Sequence, residues 1–260
     1  MSGHVSIPVE LTVYGGTLRA SIPVPAGPVT ATELLPVFRA VAEAVIHLSV
    51  KNAERQGRTV SCRDGCAACC RQFVPVAESE ARFLISLVEG MPPARRAELK
   101  RRFAEAARRL DDAGLRDRLM APETQPRDAL KTLGLDYFRV GLDCPFLENK
   151  SCSIHPDRPL VCREYLVTSP ARACDDLHGV EGVDLPLRPS LALCRIDEQP
   201  SQTLVKTVPL AMIFEWAKSA GTCPAPRPGP AIFDEFLRRL GPHRQAPPDA
   251  SAPGTSPDPA

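Results

Sequence analysis

The sequence predicts an α+β fold, mainly α, with an N-terminal β-hairpin followed by helices set around an irregular cysteine-rich domain. Three observations carry this expectation. Residues 5–24 alternate apolar and polar side chains around a glycine pair, and the segments beginning at Thr32 and Met91 switch to helical spacing. The 28 prolines of this 260-residue chain, with few aromatics, favour many turns and little extended sheet.

Val5, Ile7, Val9, Leu11 and Val13, then Leu18, Ala20, Ile22 and Val24, flank Gly15-Gly16 as the two arms of a hairpin. From Thr32 the apolar positions become Leu34, Val37, Phe38, Val41, Val45 and Leu48, a buried helix face with Thr32 as its cap, Gly57 as its stop and His47 in the core. Glu78 to Glu89 reads as a short helix. Met91-Pro92-Pro93 opens a longer one with Leu99, Phe103, Ala106 and Leu110 on one face; its arginine-rich other face reads as a solvated surface of intrahelical ion pairs. Residues 141–200 show no regular period and many turn-forming prolines. Leu204 to Ala220 reads as a helix kinked at Pro209, and Ile232 to Leu240 as a last short helix. The expected organisation is a hairpin over 1–30, a cysteine-cluster domain over 31–222 with a helical insertion at 75–140, a linker and short helix over 223–241, and a disordered tail over 242–260.

With 32 basic and 31 acidic side chains the net charge is +1, so nothing favours nucleic acid or an anionic membrane surface as partner. Met1 to Glu10 has no basic start followed by an apolar run, and Leu34 to Val50 is too short and too charged to span a bilayer, so the chain is expected to be cytoplasmic. In a reducing compartment ten cysteines point to metal or redox chemistry rather than disulfides.

The cysteines form two groups. Cys62-x3-Cys66-x2-Cys69-Cys70 places four thiols in nine residues, which brings ligands together with little chain to order. In a helix, Cys62, Cys66 and Cys69 would share a face while Cys70 turned away, so the adjacent pair is suited to two different sites. The second group is Cys144-Pro-Phe-Leu, Cys152-Ser-Ile-His155 and Arg158-Pro-Leu-Val-Cys162-Arg-Glu-Tyr165. Seven thiols result, with Cys174 and Cys194 as candidates for an eighth, enough for two four-thiolate sites or one cluster with a supporting set. The cofactor is an iron–sulfur cluster or zinc. Four thiolates leave such a centre negative, and Arg63, Arg71, Arg158 and Arg163 stand in sequence to offset that charge. His155 reads as a turn histidine and Cys223 as a linker cysteine outside the site.

Together these motifs resemble the YkgJ-type cysteine-cluster family, a domain described as zinc- or iron-chelating, over about residues 60–166. The resemblance implies metal binding at the seven motif cysteines and brings no agreed reaction. Flagellin lysine methylases carry a similar cluster, which implies an alternative: a metal-dependent oxidoreductase or protein-modifying enzyme, with a protein partner and the arm between Phe73 and Leu142 as its substrate surface. The Cys62-x3-Cys66-x2-Cys69 spacing is also that of radical S-adenosylmethionine enzymes, but this chain shows no succession of strand–helix units and has Ala68 where those enzymes commonly place an aromatic.

Overall fold

The computed structural model describes residues 3–63, 65–196 and 205–241. The segment expected to be a disordered tail, 242–260, lies outside them. The fold is α+β and mainly α, with ten α-helices among the described residues.

The chain opens with strands β1 (His4–Val13) and β2 (Gly16–Pro25), paired antiparallel from His4 opposite Pro25 to Val13 opposite Gly16. The two-residue turn is Tyr14-Gly15 rather than the glycine pair, and both residues take positive φ, as the tight hairpin turn that matches strand twist requires. Tyr14 tolerates this while its hydroxyl donates to Asp184. After β3 (Pro28–Val29) comes α1 (Leu35–Arg55). Thr32 does not cap it, because its hydroxyl donates to Ser79 O at 3.2 Å; Pro36 in the first turn presets the helix instead. His47 lies on the exposed side of α1 and not in the core.

The middle of the chain contains β4 (Pro75–Val76), α2 (Glu78–Glu89), α3 (Pro93–Asp112), α4 (Arg116–Met120) and α5 (Arg127–Arg139). It is followed by β5 (Leu147–Glu148), β6 (Ser151–Cys152), α6 (Leu160–Glu164), α7 (Ala173–Asp176) and α8 (Pro189–Cys194). The last elements are β7 (Val208–Pro209), α9 (Ile213–Ser219), β8 (Arg227–Pro228) and α10 (Gly229–Leu240). The long helix expected over 204–220 is therefore shorter. Pro209 has no N–H to continue a helix and pairs instead with Pro75 in the two-stranded β4–β7 ladder, while Leu210 N donates to Val74 O at 2.9 Å.

Three apolar clusters hold these elements. The hairpin, α1, α8 and α10 share the first, around Leu34, Phe38, Val41, Phe233 and Phe236, with the Phe38 and Phe236 rings 4.5 Å apart. In the second, α2, α3 and α9 meet around Leu84, Leu99, Phe103 and Ile213, and Cys144 and Cys152 pack against it. The third joins the ends of α3 and α5 through Leu110, Leu133 and Tyr137.

Two buried carboxylates stitch the short helices into this frame. Glu80 on α2 accepts from Leu160 N at 2.7 Å, at the start of α6, and from Ala77 N at 3.2 Å. Glu164, at the end of α6, accepts from Ser190 N at 2.5 Å and Ser190 Oγ at 2.6 Å, at the start of α8. The residues preceding these helices, Pro159 and Arg188, make no side-chain cap of their own, so each carboxylate satisfies donors that the helix would otherwise leave unpaired. Burial pushes the Glu80 carboxyl up from 4.5 to about 7, against the two N–H donors that hold it down.

Replacing Glu80 by alanine strands two buried N–H groups and should cost about 2–4 kcal/mol in urea unfolding at pH 6. The folded state keeps the Glu80 proton to about pH 7 whereas the unfolded chain releases it near 4.5. Its contribution to stability is therefore full below that lower value and lost as pH rises through the upper one; Glu80→Gln should flatten this slope. Separately, a Cβ at Gly229 would meet Pro25 O at 2.2 Å, so Gly229→Ala should lower stability by about 1–3 kcal/mol, read as a reduced denaturation midpoint.

Candidate metal centre

The first cysteine run is not helical throughout. Ser61 N donates to Val167 O at 2.8 Å and Val167 N returns a bond to Cys62 Sγ at 3.4 Å, tying the start of the run to the segment after α6. Gly65 takes φ +77, which glycine adopts without strain, and Cys66 N bonds back to Arg63 O at 3.1 Å. Among the described residues of the run, only Ala68–Arg71 forms a helical turn, of the tight 3₁₀ kind. The common face that Cys62, Cys66 and Cys69 would share in a continuous helix is thus replaced by a turn followed by a 3₁₀ segment.

The second group reaches the first through the backbone. Cys144 N donates to Cys70 O at 2.8 Å, and Arg71 pairs with Asp143 at 3.2 Å beside it. The β5–β6 hairpin then sets Cys152 opposite Leu147. Its turn, Asn149-Lys150, has positive φ at both residues. Cys162 arrives on α6, held by Glu80, and Cys174 on α7, which packs against the 3₁₀ turn.

The result is a cavity of about 670 Å³ lined by Cys62, Cys66, Cys69, Cys70, Cys144, Cys152 and Cys162, with Phe73, Val74, Phe146 and Leu210 among its apolar walls. Cys174 is buried and lies close enough to Cys62, Cys66 and Cys69 for their charges to act on it. Cys194 does not join them. It sits on α8, which packs against α1, α6 and α10, and lines a separate cavity of about 310 Å³ that also contains Cys223. None of the ten cysteines is in a disulfide.

Burial works against thiolates here. It pushes Cys144 up to about 12 and Cys162 well above the ordinary thiol value, and it raises Cys62, Cys152 and Cys174 as well. Backbone N–H groups oppose it, donated to sulfur by Val167 at Cys62, Phe146 at Cys144 and Ile154 at Cys152. Cys70 donates its S–H to Cys69, which lowers Cys69 and raises Cys70.

Of the four arginines expected to offset the charge, Arg63 and Arg158 line the cavity, and the Arg158 charge acts on Cys62, Cys69 and Cys152. Arg71 is taken up by Asp143 near the surface. Arg163 is used elsewhere: it donates to Arg158 O at 3.0 Å and to Pro156 O and pairs with Glu43 at 2.8 Å, so it clamps the turn that presents Arg158. Arg39 grips the same turn through Asp157 at 3.0 Å. His155 is an exposed residue of the cavity rim. Sequence reading missed Gln72, whose amide donates to Tyr165 Oη at 2.8 Å on the cavity wall, and Glu80, whose partner is 80 residues away.

Whether the residues fit a metal depends on the kind of centre. Among the described residues no three His, Cys, Asp or Glu side chains are arranged to hold a single ion. The donors are all soft thiols around a shared volume, and the buried Nε of Arg158 has no hydrogen-bond partner in the protein. Soft thiolates suit zinc and iron alike, and a centre bearing anionic sulfur would supply the acceptor that Arg158 lacks. Among the described residues no helix is long and apolar enough to cross a membrane.

No curated protein and no solved structure matches the chain. Residues 61–176 match the model of the CxxCxxCC family, described as a "putative zinc- or iron-chelating domain", and all eight gathered cysteines fall inside that match.

Proposed function

We propose that this protein holds iron as an iron–sulfur cluster through its gathered thiols and carries electrons in the reducing setting of the cytoplasm. One observation carries the reading: seven thiols line a cavity of about 670 Å³, yet among the described residues no three ligands are arranged to hold one ion. Zinc draws four thiolates to about 2.3 Å from a single point. In a four-iron cluster each thiolate binds a different iron, so the sulfurs stand apart around a volume.

When bound, the cluster supplies one-electron redox chemistry. The chain's own part is to hold it and balance its charge. Cys62, Cys144 and Cys152 receive N–H bonds that offset negative charge on sulfur, and Arg158 adds a full positive charge to the cavity wall. Both favour the more negative, reduced state and so raise the potential. A structural zinc staple fits less well, because the three apolar clusters already supply cores on either side of the cysteine cavity.

Protein purified without oxygen should be brown and contain iron and acid-labile sulfide; colourless protein with stoichiometric zinc and no sulfide would overturn the assignment. Cys66→Ala should lose iron while keeping its helical circular dichroism and cooperative melting, where a staple would unfold. Arg158→Gln should leave the iron content unchanged and lower the reduction potential by several tens of millivolts, the scale of one unit charge in a half-buried site.

A further inference from the structure

We infer that the eight gathered thiols are divided between two centres, one held by Cys62, Cys66, Cys69 and Cys174 and the other by Cys70, Cys144, Cys152 and Cys162. This rests on the cluster reading above and adds the number of centres and the ligands of each. The backbone makes the division. Cys70 is tied to the second group, because Cys144 N donates to Cys70 O at 2.8 Å. Leu147 N donates in turn to Cys144 O at 2.8 Å, and Leu147 pairs with Cys152 across the β5–β6 hairpin. Cys162 joins them from α6, lying within electrostatic reach of Cys144 and Cys152, and of Cys69 at the boundary between the two sets.

The other four are gathered by different contacts. The bonds between Ser61, Cys62 and Val167 anchor Cys62 to the segment after α6. That segment leads to α7, which packs on the 3₁₀ turn carrying Cys69. The neighbours whose charges act on Cys174 are Cys62, Cys66 and Cys69, with no cysteine of the second group among them. Cys69 and Cys70 stay in contact, Cys70 donating its S–H to Cys69, and the pair stands at the boundary: Cys70 lies within reach of Cys144 and Cys152, and Cys69 within reach of Cys62 and Cys174 as well as of the second group. The arithmetic also closes, since two four-thiolate centres need eight ligands and the family match contains eight cysteines.

The test is metal counting on the full chain. Iron and sulfide per chain should be twice the amount retained by Cys66→Ala/Cys174→Ala, and twice that retained by Cys144→Ala/Cys152→Ala. Spin quantitation of the fully reduced wild-type protein should give two paramagnets per chain, a measurement that stands even where a variant does not fold. One paramagnet per chain, or folded double variants that both lose all their iron, would overturn the division while leaving the cluster assignment intact. Protein with neither iron nor sulfide would overturn the cluster and the division together.

Discussion

The carboxylate of Glu80 bears on the cavity more than its distance from the thiols suggests. The helix that carries Cys162 is five residues long, too short to persist by its own hydrogen bonds. Proline precedes it and offers no cap, so its first donor is held by a buried side chain from α2. The far end of the same helix supplies Glu164, which performs that service for α8. Cys162, the turn before it and the packing of α8 on α1 are thus coupled through two carboxylates buried in the frame. Removing water from a carboxylate is costly, and helix-terminal N–H donors offset the cost here.

Charged clamps do the equivalent work for the loops. Segments 144–152 and 155–158 are loops and short turns, and long side chains from neighbouring helices hold them by their backbones and carboxylates. Arg95 and Arg102 on α3 both pair with Glu148, and Arg102 also reaches Pro145 O and Leu147 O, each at 3.4 Å. Part of the helix face that reads as mere solvated surface is therefore the grip on the Cys144–Cys152 loop. Arg39 and Arg163 act likewise on the turn that presents Arg158. Helix α3 thus positions the site even though it contributes no thiol.

The hairpin and the α2 and α3 helices were legible in the sequence because their periods are long and their stops are glycine or proline. The cysteine groups were legible through spacing. Which cysteine completes them was not. Cys174 and Cys194 look alike in sequence, and only the packing of α7 on the 3₁₀ turn, against that of α8 on α1 and α10, separates them. Glu80 was hidden for the same reason, since a cap supplied from 80 residues away leaves no local pattern. His47 was misplaced because apolar neighbours at the right helical spacing do not fix where the edge of the buried face falls. Pro209 was read as a kink in a continuous helix, although the missing N–H made a short strand ahead of a later helix start the cheaper solution.

The thiols themselves set the remaining constraint. Burial favours the neutral S–H at Cys62, Cys144, Cys152, Cys162 and Cys174, and at Cys69 and Cys70 two neighbours share what protons they hold, one donating to the other. Such a pair cannot become two thiolates in a half-buried cavity unless positive charge replaces the lost protons. Arg158 and the N–H donors to sulfur offset only part of that charge. The greater part must come from cations within the cavity, bound as the protons leave. If each member of the pair turns to a different set of thiols, the repulsion between Cys69 and Cys70 is screened by a cation on either side rather than concentrated on one, which is the electrostatic reason for an adjacent cysteine pair to stand at the boundary of two centres.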